Sequence, residues 1–154
     1  LGEQLMAAGC DDVGVADTTG YADPAAAKAM VKSLRAAFGD EAVQGIHLHN
    51  TRGLGLANVL AALDSGLTTI DSSLGGLGGC PFAPGASGNI VTEDLVFMLQ
   101  AMGYETGVDL PALLAVRKIL QDALPGEPLY GFTPDAGLPL GFRAPDFPTE
   151  VEFA

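Results

Sequence analysis

The chain of 154 residues predicts an α/β fold with a parallel sheet, and more narrowly a part of a β/α barrel. Three observations carry that expectation. Short apolar or β-branched runs alternate with longer stretches of helical period, the pattern of strands joined by covering helices. Each run ends in polar residues, first Asp17, then His47 and His49, then Asp71 with Ser72 and Ser73. Polar groups at the C-terminal ends of parallel strands mark the active face of α/β folds. Finally, three strands alone leave two open edges, a poor folding unit that a barrel would complete.

The elements follow in order. Residues 1–9 read as the end of a helix, with Leu5 and Met6 apolar and Gly9 as its stop. Cys10 then reads as a small buried hydrophobe. Val13-Gly14-Val15-Ala16 is a short buried strand, closed by Asp17-Thr18-Thr19-Gly20. Asp23-Pro24 supplies an N-cap and a first-turn proline for a helix over 25–38, with Met30, Val31, Leu34 and Phe38 at helical spacing and Gly39 beyond. A second strand leads into His47-Leu48-His49, and a helix over about 54–63 follows.

Leu67-Thr68-Thr69-Ile70-Asp71 is the third strand, β-branched in its middle. After a loop over 74–89, residues 92–102 form a helix stopped by Gly103. Another covers 111–124, with Leu113, Val116, Leu120 and Leu124 on one apolar side and Arg117 and Lys118 free to reach solvent. A barrel domain over 1–124 thus gives way to a Pro- and Gly-rich tail or lid over 125–154 without convincing periodicity.

The bulk numbers narrow the function classes. A hydrophobic content of 48% is ample for one core. The formal charge of −12 argues against nucleic acid and against anionic membrane surfaces. No apolar run approaches a membrane span and no signal-peptide pattern opens the chain. Residue 1 is Leu, not Met, which leaves upstream targeting open. Two cysteines make no disulfide framework, which suits a reducing, cytoplasmic or organellar setting; the expected localisation is cytoplasmic.

Two motifs carry chemistry. Residues two apart on a strand share a face, so His47 and His49 converge, and paired neutral imidazoles most often share a divalent metal. The plain alternative is one buried, hydrogen-bonded histidine beside an incidental one. The loop Gly75-Gly76-Leu77-Gly78-Gly79-Cys80-Pro81-Phe82-Ala83-Pro84-Gly85-Ala86-Ser87-Gly88-Asn89 is the second motif. Its glycines, Gly78 and Gly79 among them, allow close approach to a ligand, and Cys80 is a candidate acid or nucleophile on a mobile segment. A flexible linker is the bland reading, and generic reasoning favours Asn89 as a helix cap over a ligand. Arg52 follows the histidines and is placed to meet a phosphate or carboxylate, although an exposed loop cation more often does nothing specific.

From about residue 13 to 114 the chain resembles the C-terminal half of the 3-hydroxy-3-methylglutaryl-CoA lyase family. Asp17-Thr18-Thr19-Gly20, His47-Leu48-His49, Asp71-Ser72-Ser73, the cysteine loop and Thr92-Glu93-Asp94-Leu95 occur in that family's order and approximate spacing. The resemblance implies the last three βα units of a (β/α)8 TIM barrel, followed by a C-terminal helix and tail. It implies cleavage of 3-hydroxy-3-methylglutaryl-CoA to acetyl-CoA and acetoacetate with Mg²⁺ or Mn²⁺. His47, His49 and Asn89 match the metal ligands. Cys80, Asp17 and Glu93 match catalytic positions; Gly78 and Gly79 in the loop, and Arg52, which is extra to the family pattern, are the candidates for contacting substrate.

The family's remaining aspartate ligand and catalytic arginine belong to a first strand that this sequence lacks. The implied partners are therefore an acyl-CoA substrate, the other half-barrel or another protein chain, and further copies in a homo-oligomer. Without that other half, turnover is not expected. Asn50 stands where the family usually has aspartate, a departure that resembles the related aldolases and condensing enzymes. A non-catalytic half-barrel module is the reading from outside enzymology.

Overall fold

The computed structural model describes residues 1–79 and 85–144. Cys80 and the tail beyond residue 144 lie outside the described residues. The order is α1 (Gly2–Ala7), β1 (Val15–Asp17), α2 (Pro24–Phe38), β2 (Gly45–Leu48), α3 (Gly55–Leu63), β3 (Thr69–Asp71), a 3-10 turn (Leu74–Gly76), α4 (Thr92–Ala101), α5 (Leu110–Ala123) and α6 (Thr133–Ala136). The strands form one parallel sheet in the order β1-β2-β3. This is the expected piece of a β/α barrel.

Local chemistry explains the boundaries. Asp23 accepts a hydrogen bond from the Ala26 amide at 2.8 Å, with Pro24 at the first helical position, and α2 ends at Gly39 with φ +87°. Asp109 caps α5 in the same way, accepting from Ala112 at 3.0 Å.

The sheet has two unlike faces. Val15 and Ile46 pair across β1 and β2, and with Leu48 they turn toward α2 and α3. There they join Val31, Val43, Val59, Ala62 and Leu67 in the core. Each Val, Leu or Ile burial of this kind contributes about 1.5–3 kcal/mol. On the opposite face, Ala16, His47 and Asp71 form one cross-strand row by register. That face holds a cleft of about 290 Å³ running over Gly14, Ala16, Gly45, His47, Thr69 and Asp71. In a barrel this face is the interior.

Three sequence expectations need correction. Cys10 is exposed, because α1 is a six-residue helix with no buried residue to carry it inward. The first strand is buried on one side only, since Ala16 faces the open cleft. Arg117 does not reach solvent: it is 8% exposed and paired with Glu93, whereas Lys118 is exposed and pairs with Asp122. The buried side of α5 runs through Leu110 and Arg117 with Leu113 and Leu120 half-buried, whereas Val116 is 39% and Leu124 37% exposed.

The described part of the C-terminal region is firmly seated. The Asp94 carboxylate accepts from the Phe132 amide at 3.0 Å and the Thr133 amide at 2.6 Å, holding the start of α6 against α4. Phe142 packs on Phe97 with ring centroids 5.3 Å apart. No helix among the described residues is long and apolar enough to cross a membrane.

Candidate metal centre and its glycine loop

His47 and His49 lie on the same side of β2 and its continuation, as the two-residue period demands. Their Nε2 atoms approach to 3.2 Å, with ring centroids 5.2 Å apart. Two neutral imidazoles reach that separation either by sharing one proton or by facing one cation. Adjacent ligands of an octahedral ion with bonds of about 2.1 Å sit about 3 Å apart, so the pair needs little adjustment. His47 Nδ1 lies 3.4 Å from an Asp71 oxygen, which favours the proton on Nδ1 and leaves Nε2 as the donor atom. Burial, and next the charge of His47, lower the His49 pKa from 6.5, while Asp17 opposes them. At neutral pH His49 is therefore an uncharged imidazole with a lone pair to offer.

Asn89 arrives from across the strand ends. The Asn50 amide donates to the Gly88 carbonyl and the Ile90 amide to Leu48, so residues 88–90 run antiparallel beside 48–50. His49 and Asn89 form a bridge in that ribbon. The Asn89 Nδ2 donates to the Leu77 carbonyl at 2.7 Å. That carbonyl can only accept, so Oδ1 must be the other atom, and it is buried without a partner. A Cβ on Gly78 would sit 2.6 Å from Asn89 Nδ2, so glycine there lets the carboxamide lie against the loop. Among the described residues, His, Cys, Asp and Glu side chains alone gather no set of three. The bridge to His49 brings Asn89 to the histidine end of β2, and its amide oxygen is the kind of hard donor that suits Mg²⁺ or Mn²⁺.

The remaining expected residues fall as follows. Asp17 is 8% exposed and accepts from the Tyr21 and Ala22 amides, both at 3.0 Å, so it shapes the turn while placing negative charge near His49. Glu93 is 1% exposed and is bound by the Gly75 amide at 3.0 Å and by Arg117 at 3.0 Å, at the base of the glycine loop. Arg52 lies 4.2 Å from the Tyr21 ring centroid and donates to the Gly20 carbonyl at 3.0 Å, joining the loops after β1 and β2. Gly79 backs onto the Ala86 carbonyl, closing the loop's neck. Cys80 lies outside the described residues, so its approach to the histidines is not part of this geometry.

Asn50 has a structural task, since its Oδ1 accepts from the Gly55 amide at 3.0 Å at the start of α3. Asp71 was absent from the expected site although it ends the third strand; register across β2 and β3 places it opposite His47. A second cavity of about 390 Å³ lies beside Asn89, walled by Asn50, Thr51, Val91, Tyr130 and Phe132. The C-terminal segment is thus part of this face.

Comparison with known proteins shows the family. The HMGL-like family profile matches residues 1–120. The chain is 43% identical over 129 residues to the hydroxymethylglutaryl-CoA lyase YngG of Bacillus subtilis, covering 84% of this chain and 42% of that protein. It is 42% identical over 137 residues to the (R)-citramalyl-CoA lyase of Chloroflexus aurantiacus, covering 89% of this chain and 43% of that one. An HMG-CoA lyase from Acinetobacter baumannii, solved with coenzyme A and 3-methylmalate, superposes with a TM-score of 0.82 at 44% identity. That match covers 96% of this chain and 47% of the other. The chain spans less than half the length of each of these proteins.

Proposed function

The chain belongs to the HMGL-like family, the family of the hydroxymethylglutaryl-CoA lyases, and from that premise we propose its role. It carries the cation-holding and thiol-bearing part of a carbon–carbon lyase. The substrate is 3-hydroxy-3-methylglutaryl-CoA or a similar 3-hydroxyacyl-CoA, cleaved to acetyl-CoA and acetoacetate or an analogous keto acid. The observation that carries the proposal is the pair of Nε2 atoms 3.2 Å apart, with Asn89, whose Oδ1 has no partner, bridged to His49.

His47, His49 and Asn89 would hold Mg²⁺ or Mn²⁺. When bound, such a cation supplies Lewis acidity toward the hydroxyl and carboxylate oxygens of a substrate. The chain's own residues prepare that site. Asp71 orients His47, and burial keeps His49 neutral and ready to ligate. Asp17 acts through its charge beside His49, and Glu93 through the loop it anchors. Cys80, on the loop that Gly78 and Gly79 shape, delivers a proton to the carbanion of the departing thioester fragment. Arg52 presents its remaining guanidinium donors to a substrate anion.

The Acinetobacter relative's bound coenzyme A supports a thioester substrate, and the citramalyl-CoA lyase supports latitude in the acyl group. Asn50, where the family usually has aspartate, favours a second reading as an aldol or condensing enzyme of the same superfamily. Among the described residues β1 and β3 are the edges of the sheet, which supports pairing with further barrel units or other chains, including assembly into a homo-oligomer. We assign the reaction to the cytoplasm, where an exposed thiol such as Cys10 stays reduced.

The test adds a polypeptide carrying the preceding barrel units of a relative and assays acetyl-CoA release with Mg²⁺ or Mn²⁺. Release should require both polypeptides and the cation, and Cys80→Ser should abolish it while leaving cation binding intact. A reconstituted barrel that binds the cation yet only condenses 2-oxo acids would reverse the assignment.

A further inference from the structure

Below the glycine loop lies a polar circuit that closes on itself. The Gly75 amide donates to Glu93 at 3.0 Å, and Arg117 Nη1 donates to the same carboxylate at 3.0 Å. The same Arg117 nitrogen donates to the Tyr130 carbonyl at 2.8 Å. The Tyr130 amide then returns to the Gly75 carbonyl at 2.8 Å. Both backbone groups of Gly75 and both of Tyr130 are thereby satisfied within one ring of contacts. Gly75 has φ +61°, and a Cβ there would meet Leu129 at 2.9 Å and the Arg117 guanidinium at 3.3 Å. A positive-φ position that suits glycine and a buried charge pair thus meet at one point, where the glycine loop begins.

We infer that Arg117 is a positioning residue that fixes the base of the glycine loop and couples it to the C-terminal segment over 129–133. The ion pair is the hub. Glu93 at 1% exposure would be an uncompensated buried charge without Arg117, and the Gly75 amide would lose a well-defined acceptor. Because one nitrogen serves both Glu93 and Tyr130, loosening the loop loosens the segment that walls the cavity beside Asn89. A ligand seated in that cavity would in turn bias the loop. The catalytic significance rests on the proposed lyase reading, in which the loop presents Cys80; the coupling itself does not.

Amide hydrogen exchange on the whole chain tests the coupling without substrate. In Arg117→Met, the Gly75 and Tyr130 amides should together exchange about 10-fold faster relative to those of Ile46 and Leu48. Arg117→Lys should restore most of the protection, since a single nitrogen makes both contacts. The double variant Arg117→Met with Glu93→Gln removes the unpaired charge and secures folding; Tyr130 should stay fast while the strand amides regain their original rates. Uniform acceleration of all amides in the double variant, or acceleration of Gly75 with Tyr130 unchanged, overturns the inference. In the reconstituted barrel, Arg117→Met should lower kcat with little change in KM. Absence of lyase activity in the unmodified barrel would count against the function and leave the exchange result standing.

Discussion

The two ends of the sheet are built by opposite rules. At the N-terminal end, Arg35 donates to the carbonyls of Val43 at 3.2 Å, Ser65 at 2.8 Å and Gly66 at 2.8 Å, stapling the approaches to β2 and β3 onto α2. At the C-terminal end, His49 Nδ1, Thr51 Oγ1, Asn58 Oδ1 and Asn89 Oδ1 are buried without partners. These are four of the six such atoms among the described residues, and two of the residues, Thr51 and Asn89, line the cavity of about 390 Å³ at that end. Each unmet buried group costs about 1–3 kcal/mol. One end spends its polar groups on stability, and the other keeps them available for binding.

That contrast yields an exchange of phenotypes. Arg35→Ala should lower unfolding stability by about 3 kcal/mol, read by urea titration, and leave Mn²⁺ affinity unchanged. His49→Ala should reduce Mn²⁺ affinity about 100-fold or more and alter stability by less than about 1 kcal/mol. If both variants lost stability alike, the division between the ends would fail. A smaller effect is expected at Asp71, which orients His47 across the sheet without touching the site. Asp71→Asn should weaken Mn²⁺ binding about 10-fold, and an unchanged affinity would remove Asp71 from the account.

The smallest effect is a pH dependence. The His49 pKa is lowered in the fold by burial first, so the unfolded chain takes up that proton more readily. The contribution is fully present above the unfolded value of 6.5 and is lost as pH falls below it toward the folded value. The melting temperature of metal-free protein should therefore drop between about pH 7.5 and about pH 5.5, and His49→Gln should flatten that part of the drop. An identical profile in the variant would contradict it.

The sequence made some of this legible because periodicity and caps are local. Asp23-Pro24 announced α2, and the spacing of His47 and His49 fixed their common face. The glycines of the loop were readable as room for a ligand, whereas the neighbour that Gly78 admits in the fold is the Asn89 side chain, which the sequence did not announce. Arg117 was misread because its partner lies 24 residues away on another helix, where no pattern along α5 can announce it. The seating of the C-terminal segment was hidden for a related reason. Asp94 holds it through backbone amides of Phe132 and Thr133, and backbone donors leave no trace in composition. Cys10 followed a helix of six residues that packs Met6 against the core but buries no residue fully.

The most direct measurement is pulsed electron paramagnetic resonance of Mn²⁺ added to the whole chain at about millimolar concentration, where a site short of carboxylate ligands is expected to fill. Nitrogen coupling from two imidazoles should appear, fall to one in His47→Ala, and vanish when His49 is replaced as well. Bound Mn²⁺ without nitrogen coupling, or with coupling indifferent to both substitutions, would mean that the histidine pair is not a cation site.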